Sequence, residues 1–286
     1  MAKRNSSATK STSKKVKRPQ GIPIRYFWWK VSGFLLLMCF VVFYAPIVKT
    51  VLSIKESVSD GMSDFRYVHI ESYGIKIPKK FKVHGIDVSK YQSRIDWEKV
   101  KKMEDDGVKI NFVFIKATEG QFNIDPYFQR NWKQSKNAGL MRGAYHYFKP
   151  RKSGKWQAAL FLQTVNYESG DLPPVIDIEE TGRLSPEELR ENLKEWLETV
   201  ERKVGEKPII YTGYKFYEDY LKGYFDDYPY WIAHYYQSKL KIEDNTQWSF
   251  WQHSDIGKVN GIRQRVDFNV FNGNLEDLKD LCLELD

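Results

Sequence analysis

Pro173-Pro174-Val175-Ile176-Asp177-Ile178-Glu179-Glu180 is the stretch on which the fold of this chain turns. Val175, Ile176 and Ile178 are β-branched and make a short apolar run, the mark of a buried strand. Side chains alternate across a strand, so Asp177 and Glu179, two residues apart, project to one face. Two like charges gathered at a buried place are costly unless something uses them. Cleavage of a glycosidic bond is chemistry that needs such a pair.

Working outward, the same kind of apolar run recurs. Strands are expected at 83–88, 112–116, 142–148, 175–178, 208–212, 230–234, 249–253 and 266–270. Helical signals separate the first five. Asp96 is an N-cap with Ile95 and Val100 as a hydrophobic staple. Asp125-Pro126 is expected to open a second helix with Pro at its first turn, and Gly139 to stop it. Ser185-Pro186-Glu187-Glu188 is a capping box, and Leu189, Leu193, Trp196, Leu197 and Val200 follow at helical spacing up to Gly205. Alternating strand and helix imply an α/β protein with a parallel sheet, and eight strands over some 200 residues suggest a closed, TIM-like (β/α) barrel. The last three strands lack full helices between them, which makes the barrel irregular. A doubly wound sheet is the alternative, but no Gly-x-Gly-x-x-Gly loop follows the first strand.

Active sites of such barrels lie at the C-terminal mouth. Asp87 ends the first strand, Asp177 and Glu179 end the fourth, and Asp267 lies on the eighth, next to the first in a closed barrel. Each acid alone reads equally well as a loop cap or an ion-pair partner. Together they would ring one cleft. Tyr145 and Tyr211 end strands three and five, and Trp231 and Gln252 lie on strands six and seven, so these four are candidate substrate contacts. Trp97, Trp132 and Trp156 fall on helices and read as barrel packing. His146, His234 and His253 stand near strand ends, but no His-Glu-x-x-His or cysteine pair accompanies them, and neither a metal nor another cofactor is expected.

The net charge of +8 is concentrated at one end. Residues 1–30 hold nine Lys or Arg and no acid, leaving 36 basic against 37 acidic residues in the rest. A near-neutral body argues against a nucleic-acid partner. Residues 31–48 are 18 uncharged residues between Lys30 and Lys49, with Tyr26, Phe27, Trp28, Trp29 and Tyr44 at the edges. That is the pattern of one transmembrane helix with an aromatic belt. The basic tail places residues 1–30 in the cytoplasm and the remainder on the other side of the membrane. Phe43 and Pro46 around Ala45 spoil a small-x-small cleavage site, so the segment reads as an uncleaved signal-anchor. Residues 49–80 are expected as a stalk or packed edge, and 81–286 as the barrel domain.

The runs His84-Gly85-Ile86-Asp87-Val88-Ser89-Lys90-Tyr91-Gln92, Phe114-Ile115-Lys116-Ala117-Thr118-Glu119-Gly120, Gly143-Ala144-Tyr145-His146-Tyr147-Phe148 and Asp177-Ile178-Glu179 resemble, in this order, the family 25 glycoside hydrolases, the Chalaropsis-type lysozymes. The resemblance spans about 83–272 and leaves residues 1–80 uncovered. It implies a barrel with five helices and an N-acetylmuramidase acting on the β-1,4 bond of peptidoglycan. It assigns Glu179 as general acid/base, with Asp177, Asp87 and Asp267 as the other catalytic acids.

Burial would raise the pKa of Glu179, while Asp177 is expected to stay ionised. Asp177 then has three open roles: charge stabilisation, direct attack, or orientation of the substrate's 2-acetamido group. Two other readings compete: a catalytically inactive glycan-binding wall scaffold, and a hydrolase of another N-acetylated glycan such as chitin. The intact acid pair speaks against the first, and the anchor against the second.

Overall fold

The computed structural model describes residue 48 and residues 66–285, apart from 236, 238, 239, 241 and 243–247. The basic tail and residues 31–47 of the expected membrane-spanning segment lie outside the described residues. Among those described, no helix is long and apolar enough to cross a membrane.

The chain runs β1 (Tyr67–Ile70), β2 (Ile75–Pro78), β3 (His84–Val88), α1 (Trp97–Lys102), β4 (Glu104–Asp105), β5 (Val108–Glu119), β6 (Asn123–Ile124), α2 (Phe128–Asn137), β7 (Met141–Tyr147), α3 (Gly154–Thr164), β8 (Val175–Asp177), α4 (Pro186–Val204), β9 (Ile209–Gly213), α5 (Tyr214–Phe216), β10 (Tyr230–Ala233), β11 (Trp248–Gly257), β12 (Val266–Phe271) and α6 (Leu275–Asp280). A π turn over Tyr217–Leu221 continues α5. Eight strands close a barrel in the order β3, β5, β7, β8, β9, β10, β11, β12 and back to β3. The eight expected strands are all present. The described residues hold six α-helical segments, one more than the five expected.

The irregularity lies at the end of the barrel. Pairing is parallel from β3 round to β11, but β12 runs antiparallel to both β11 and β3. No helix separates β11 from β12, so the chain simply turns back. This reversal matters for Asp267, the second residue of its strand. On a parallel strand it would sit at the closed end. On the reversed strand it faces Asp87 at the open end.

Local sequence sets the helix ends. Asp96 accepts from Lys99 N at 3.3 Å and caps α1. Ser185 and Glu188 form the expected capping box of α4, and Gly205 ends that helix with φ 89°. The expected start of α2 needs correction. Asp125 does not cap it; its carboxylate accepts from Tyr127 N at 2.9 Å and from Lys90 N at 2.7 Å, tying this turn to the loop after β3. Helical structure begins two residues after Pro126.

Two cores result. Helices pack on the outside of the sheet through residues such as Ile86, Val113, Ile176, Leu193 and Trp196. The barrel interior is aromatic: Phe112, Phe114, Trp231, Phe250 and Phe271 fill it. Phe114 stacks on Trp231 with centroids 4.5 Å apart. Gly85 and Gly143 make room, since a Cβ on either would stand 2.4–2.5 Å from the Phe112 or Phe114 ring. Trp97 and Trp132 are buried as expected, whereas Trp156 is 69% exposed and contributes no barrel packing.

The hairpin β1–β2 belongs to the same compact unit as the barrel. Its turn buries Tyr73, whose hydroxyl donates to Met103 O and Val108 O at 3.2 and 3.1 Å and whose ring meets Phe268 edge-on.

Candidate active site at the barrel mouth

Every strand of the barrel sends alternate residues inward, and the last inward position before the mouth is polar on nearly all of them. On β3 the order is Gly85 then Asp87; on β5 it is Phe112, Phe114, Lys116; on β7, Gly143, Tyr145, Tyr147. On β8 it is Val175 then Asp177, with Glu179 next beyond the strand, and on β9 it is Ile209 then Tyr211. Apolar positions fill the interior and the polar ones line a cleft of about 260 Å³. All eight residues singled out in the sequence, Asp87, Tyr145, Asp177, Glu179, Tyr211, Trp231, Gln252 and Asp267, line this one cleft. The periodicity also points to Ser89, two residues past Asp87, to Lys116 and Tyr147, two past Phe114 and Tyr145, and to Asn269, two past Asp267, which the placement of acids and aromatics at strand ends does not single out. Tyr91 and Tyr235 complete the rim, and nothing in local periodicity marks them.

The acids have distinct environments. Asp87 is buried, and its Oδ2 accepts from Gln252 Nε2 at 2.7 Å and from Asn269 Nδ2 at 2.8 Å. Those amides are themselves held. Tyr211 and Tyr235 each donate to Gln252 Oε1 at 2.7 Å, and Trp231 Nε1 donates to Asn269 Oδ1 at 2.8 Å. Trp231 is 2% exposed and wedged between Phe114 and Tyr211, so it forms the cleft floor and fixes Asn269 rather than offering an open stacking face. Asp267 hydrogen-bonds Asp87, and burial, then the Asp87 charge, hold its carboxyl above the usual carboxylate range. Burial pushes Asp87 up too, against the pull of the Asn269 and Gln252 amides and the Asp267 hydrogen bond.

Asp177 stands between Tyr147 and Tyr211 on the neighbouring strands. It is buried, and its Oδ1 has no protein hydrogen-bond partner. Burial and the adjacent Glu179 push its pKa well up, which works against the expected ionised Asp177. Glu179 is open to solvent at the rim, yet surrounding protein desolvates it enough to raise its pKa. The neighbouring Tyr211 hydroxyl and the charge of Lys116 oppose that rise. Burial is therefore the main cause, with the charge of the adjacent Glu180 a smaller one.

A cationic flank balances the cleft. Lys116 Nζ pairs with Glu119 at 2.7 Å and Lys149 Nζ with Glu180 at 2.9 Å. Both ammonium groups lie over the Tyr147 ring, at 4.6 and 4.4 Å from its centroid. Glu119 and Glu180 thus serve as counter-ions. His146 is buried and joined to Thr118 Oγ1 and Gln157 Oε1, which gives it a structural place outside the cleft.

Four acids at the mouth of a barrel, two of them buried and one exposed with its pKa raised, suit acid-assisted bond cleavage. Comparison with known proteins agrees. "Uncharacterized protein YegX" of Escherichia coli K12 is 53% identical over 222 residues, 78% of this chain and 81% of its own. Lysozyme M1 of Streptomyces globisporus is 34% identical over 206 residues, 67% of this chain and 68% of its own. The solved structure of a family 25 glycosyl hydrolase from Bacillus anthracis superposes with a TM-score of 0.66 at 32% identity, covering 71% of this chain and 95% of that one. The model of glycosyl hydrolases family 25 matches residues 86–262, well over half the sequence, and the chain belongs to that family.

Proposed function

We propose that this glycoside hydrolase is a muramidase, cleaving the β-1,4 bond between N-acetylmuramic acid and N-acetylglucosamine in peptidoglycan. The observation that carries the reading is the pairing of an exposed Glu179, whose pKa burial raises, with a buried Asp177 whose Oδ1 lacks a partner. Glu179 donates its proton to the leaving glycosidic oxygen and, once ionised, deprotonates the incoming water. Asp177 Oδ1 accepts the N–H of the substrate's 2-acetamido group. That bond favours the ionised carboxylate and turns the acetamido oxygen toward the anomeric carbon as an internal nucleophile. Asp87, fixed by two amides, and Asp267 hold the sugar hydroxyls and the negative field of the cleft.

The N-terminal sequence supports a location to match. An uncharged segment at 31–48 behind a basic tail would tether the barrel to the membrane on the wall-facing side. The third role of Asp177 also favours N-acetylated sugars over plain glucans.

The test is hydrolysis of purified peptidoglycan by the protein and by Glu179→Gln, with released fragments read by mass spectrometry. New muramic-acid reducing ends, reduced by roughly two or more orders of magnitude in the variant, are expected. Glucosamine reducing ends would assign the other bond. No products from either protein, with binding intact, would favour the scaffold reading.

A further inference from the structure

A second cavity, about 740 Å³, lies beside the mouth between the N-terminal part of α1, the outer face of α2 and the β11–β12 turn. Arg94, Arg130 and Arg263 line it, with the amide side chains of Gln134 and Asn137. Its two acids are already neutralised. Asp96 pairs with Lys99 at 3.2 Å and Glu98 with Lys102 at 3.8 Å. Arg130 is spent in part on the Ile95 carbonyl, which accepts from both its terminal nitrogens at 3.1 Å. Arg94 and Arg263 are exposed, and neither has an ion-pair partner among the described residues.

The groove is built rather than incidental. Gly261 O accepts from Asp96 N at 3.0 Å, and Gln92 Nε2 donates to Arg265 O at 2.9 Å, so the β11–β12 turn is laced to the segment leading into α1. Gly261 has φ 94°, and a Cβ there would stand 2.3 Å from Asp96 O. Both segments that frame the groove also frame the cleft. Tyr91 lines the cleft and Arg94, three residues on, lines the groove; Asp267 lines the cleft and Arg263, four residues back, lines the groove. At about 3.5 Å per residue, groove and cleft are within about 15 Å of each other along either segment.

Cleft and groove are close enough for one extended ligand to reach both. Resting on the muramidase reading, we propose that the groove binds the carboxylates of the stem peptide carried by the muramic-acid residue. Arg94 and Arg263 pair with the peptide's acidic groups, and Gln134 and Asn137 meet its amides. The preferred substrate is then peptide-bearing glycan strands rather than bare ones. Exposed guanidinium–carboxylate pairs are individually weak, so the effect is one of preference.

The experiment separates this from the activity itself. Wild-type hydrolysis of bare strands, prepared with an amidase, reports whether the protein is a muramidase. Binding of the non-cleaving Glu179→Gln protein to peptide-bearing and bare strands reports the groove, whether or not cleavage occurs. At low salt the peptide-bearing strands should bind about fivefold tighter, and Arg94→Ala/Arg263→Ala should abolish the difference while leaving bare-strand binding unchanged. Raising salt should erode the preference in parallel. A double lysine variant, Arg94→Lys/Arg263→Lys, guards against misfolding and should retain part of it. Equal binding of the two strand types overturns the proposal. So does loss of retention on phosphatidylglycerol vesicles in the double alanine variant with the peptide preference intact, which would assign the groove to an anionic lipid surface.

Discussion

Asp87 and Asp267 face each other across the antiparallel β3–β12 pair and share a hydrogen bond between their carboxyl groups. One proton therefore stays with the folded pair after an unfolded aspartate, with a pKa near 3.9, has lost its own. The folded state binds more protons than the unfolded one from about pH 4 through neutrality, so this pair's contribution to stability is present at low pH and is lost as pH rises. Asp267→Asn removes that titration and keeps a side chain able to bond Asp87. Its unfolding free energy should fall less than wild type's between pH 5 and pH 8, by on the order of 2 kcal/mol, read from denaturant unfolding at the two pH values. Parallel pH profiles would show that the two carboxyls do not share a proton.

Tyr211 opposes the rise in the pKa of Glu179. Tyr211→Phe removes that restraint, so Glu179 should hold its proton to higher pH. The basic limb of the kcat/KM profile should move up by as much as about one pH unit. A downward shift would mean that the limb belongs to another group.

Trp231 acts at one remove from the chemistry, through Asn269 to Asp87. Trp231→Phe keeps a ring against Phe114 but deletes the N–H donor, and leaves Asn269 free to turn its amide away from Asp87. We expect kcat to fall about tenfold, with a smaller change in KM and a folded protein. A change confined to KM would make Trp231 a sugar contact instead.

His253 is buried against Trp251 and Phe268 with neither ring nitrogen bonded, and burial pushes its pKa down to about 3. Below about pH 6.5 the unfolded chain gains a proton that the folded chain refuses, so stability falls as pH falls. His253→Phe should remove this loss, on the order of 2 kcal/mol at pH 5, and leave stability near pH 8 little changed. Urea unfolding at the two pH values measures it.

The strands were legible because each is an apolar, β-branched or aromatic run with period two, and the acids were legible because they interrupt such runs at one end. Tyr91 and Tyr235 were not, because they reach the cleft from loops where no periodicity operates. The start of α2 was misread because Asp125-Pro126 is a valid helix opening in isolation; the Asp125 carboxylate is instead claimed by the Lys90 and Tyr127 amides. Asp267 reached the mouth for a reason the local sequence does not carry. Its strand is short and apolar like the others, and only the pairing on both sides reveals that it runs backwards.

That reversal also decides where the barrel is held. β3 begins and β12 ends at the closed end, where Phe271 N donates to Val83 O at 2.9 Å. The polypeptide enters and leaves the barrel at one point, like a lamp on a single stem. Within the described residues, the hairpin that precedes the barrel and α6 that follows it both join it at that end. The mouth, at the other end of the strands, is built from residues between these two joins and carries neither of them.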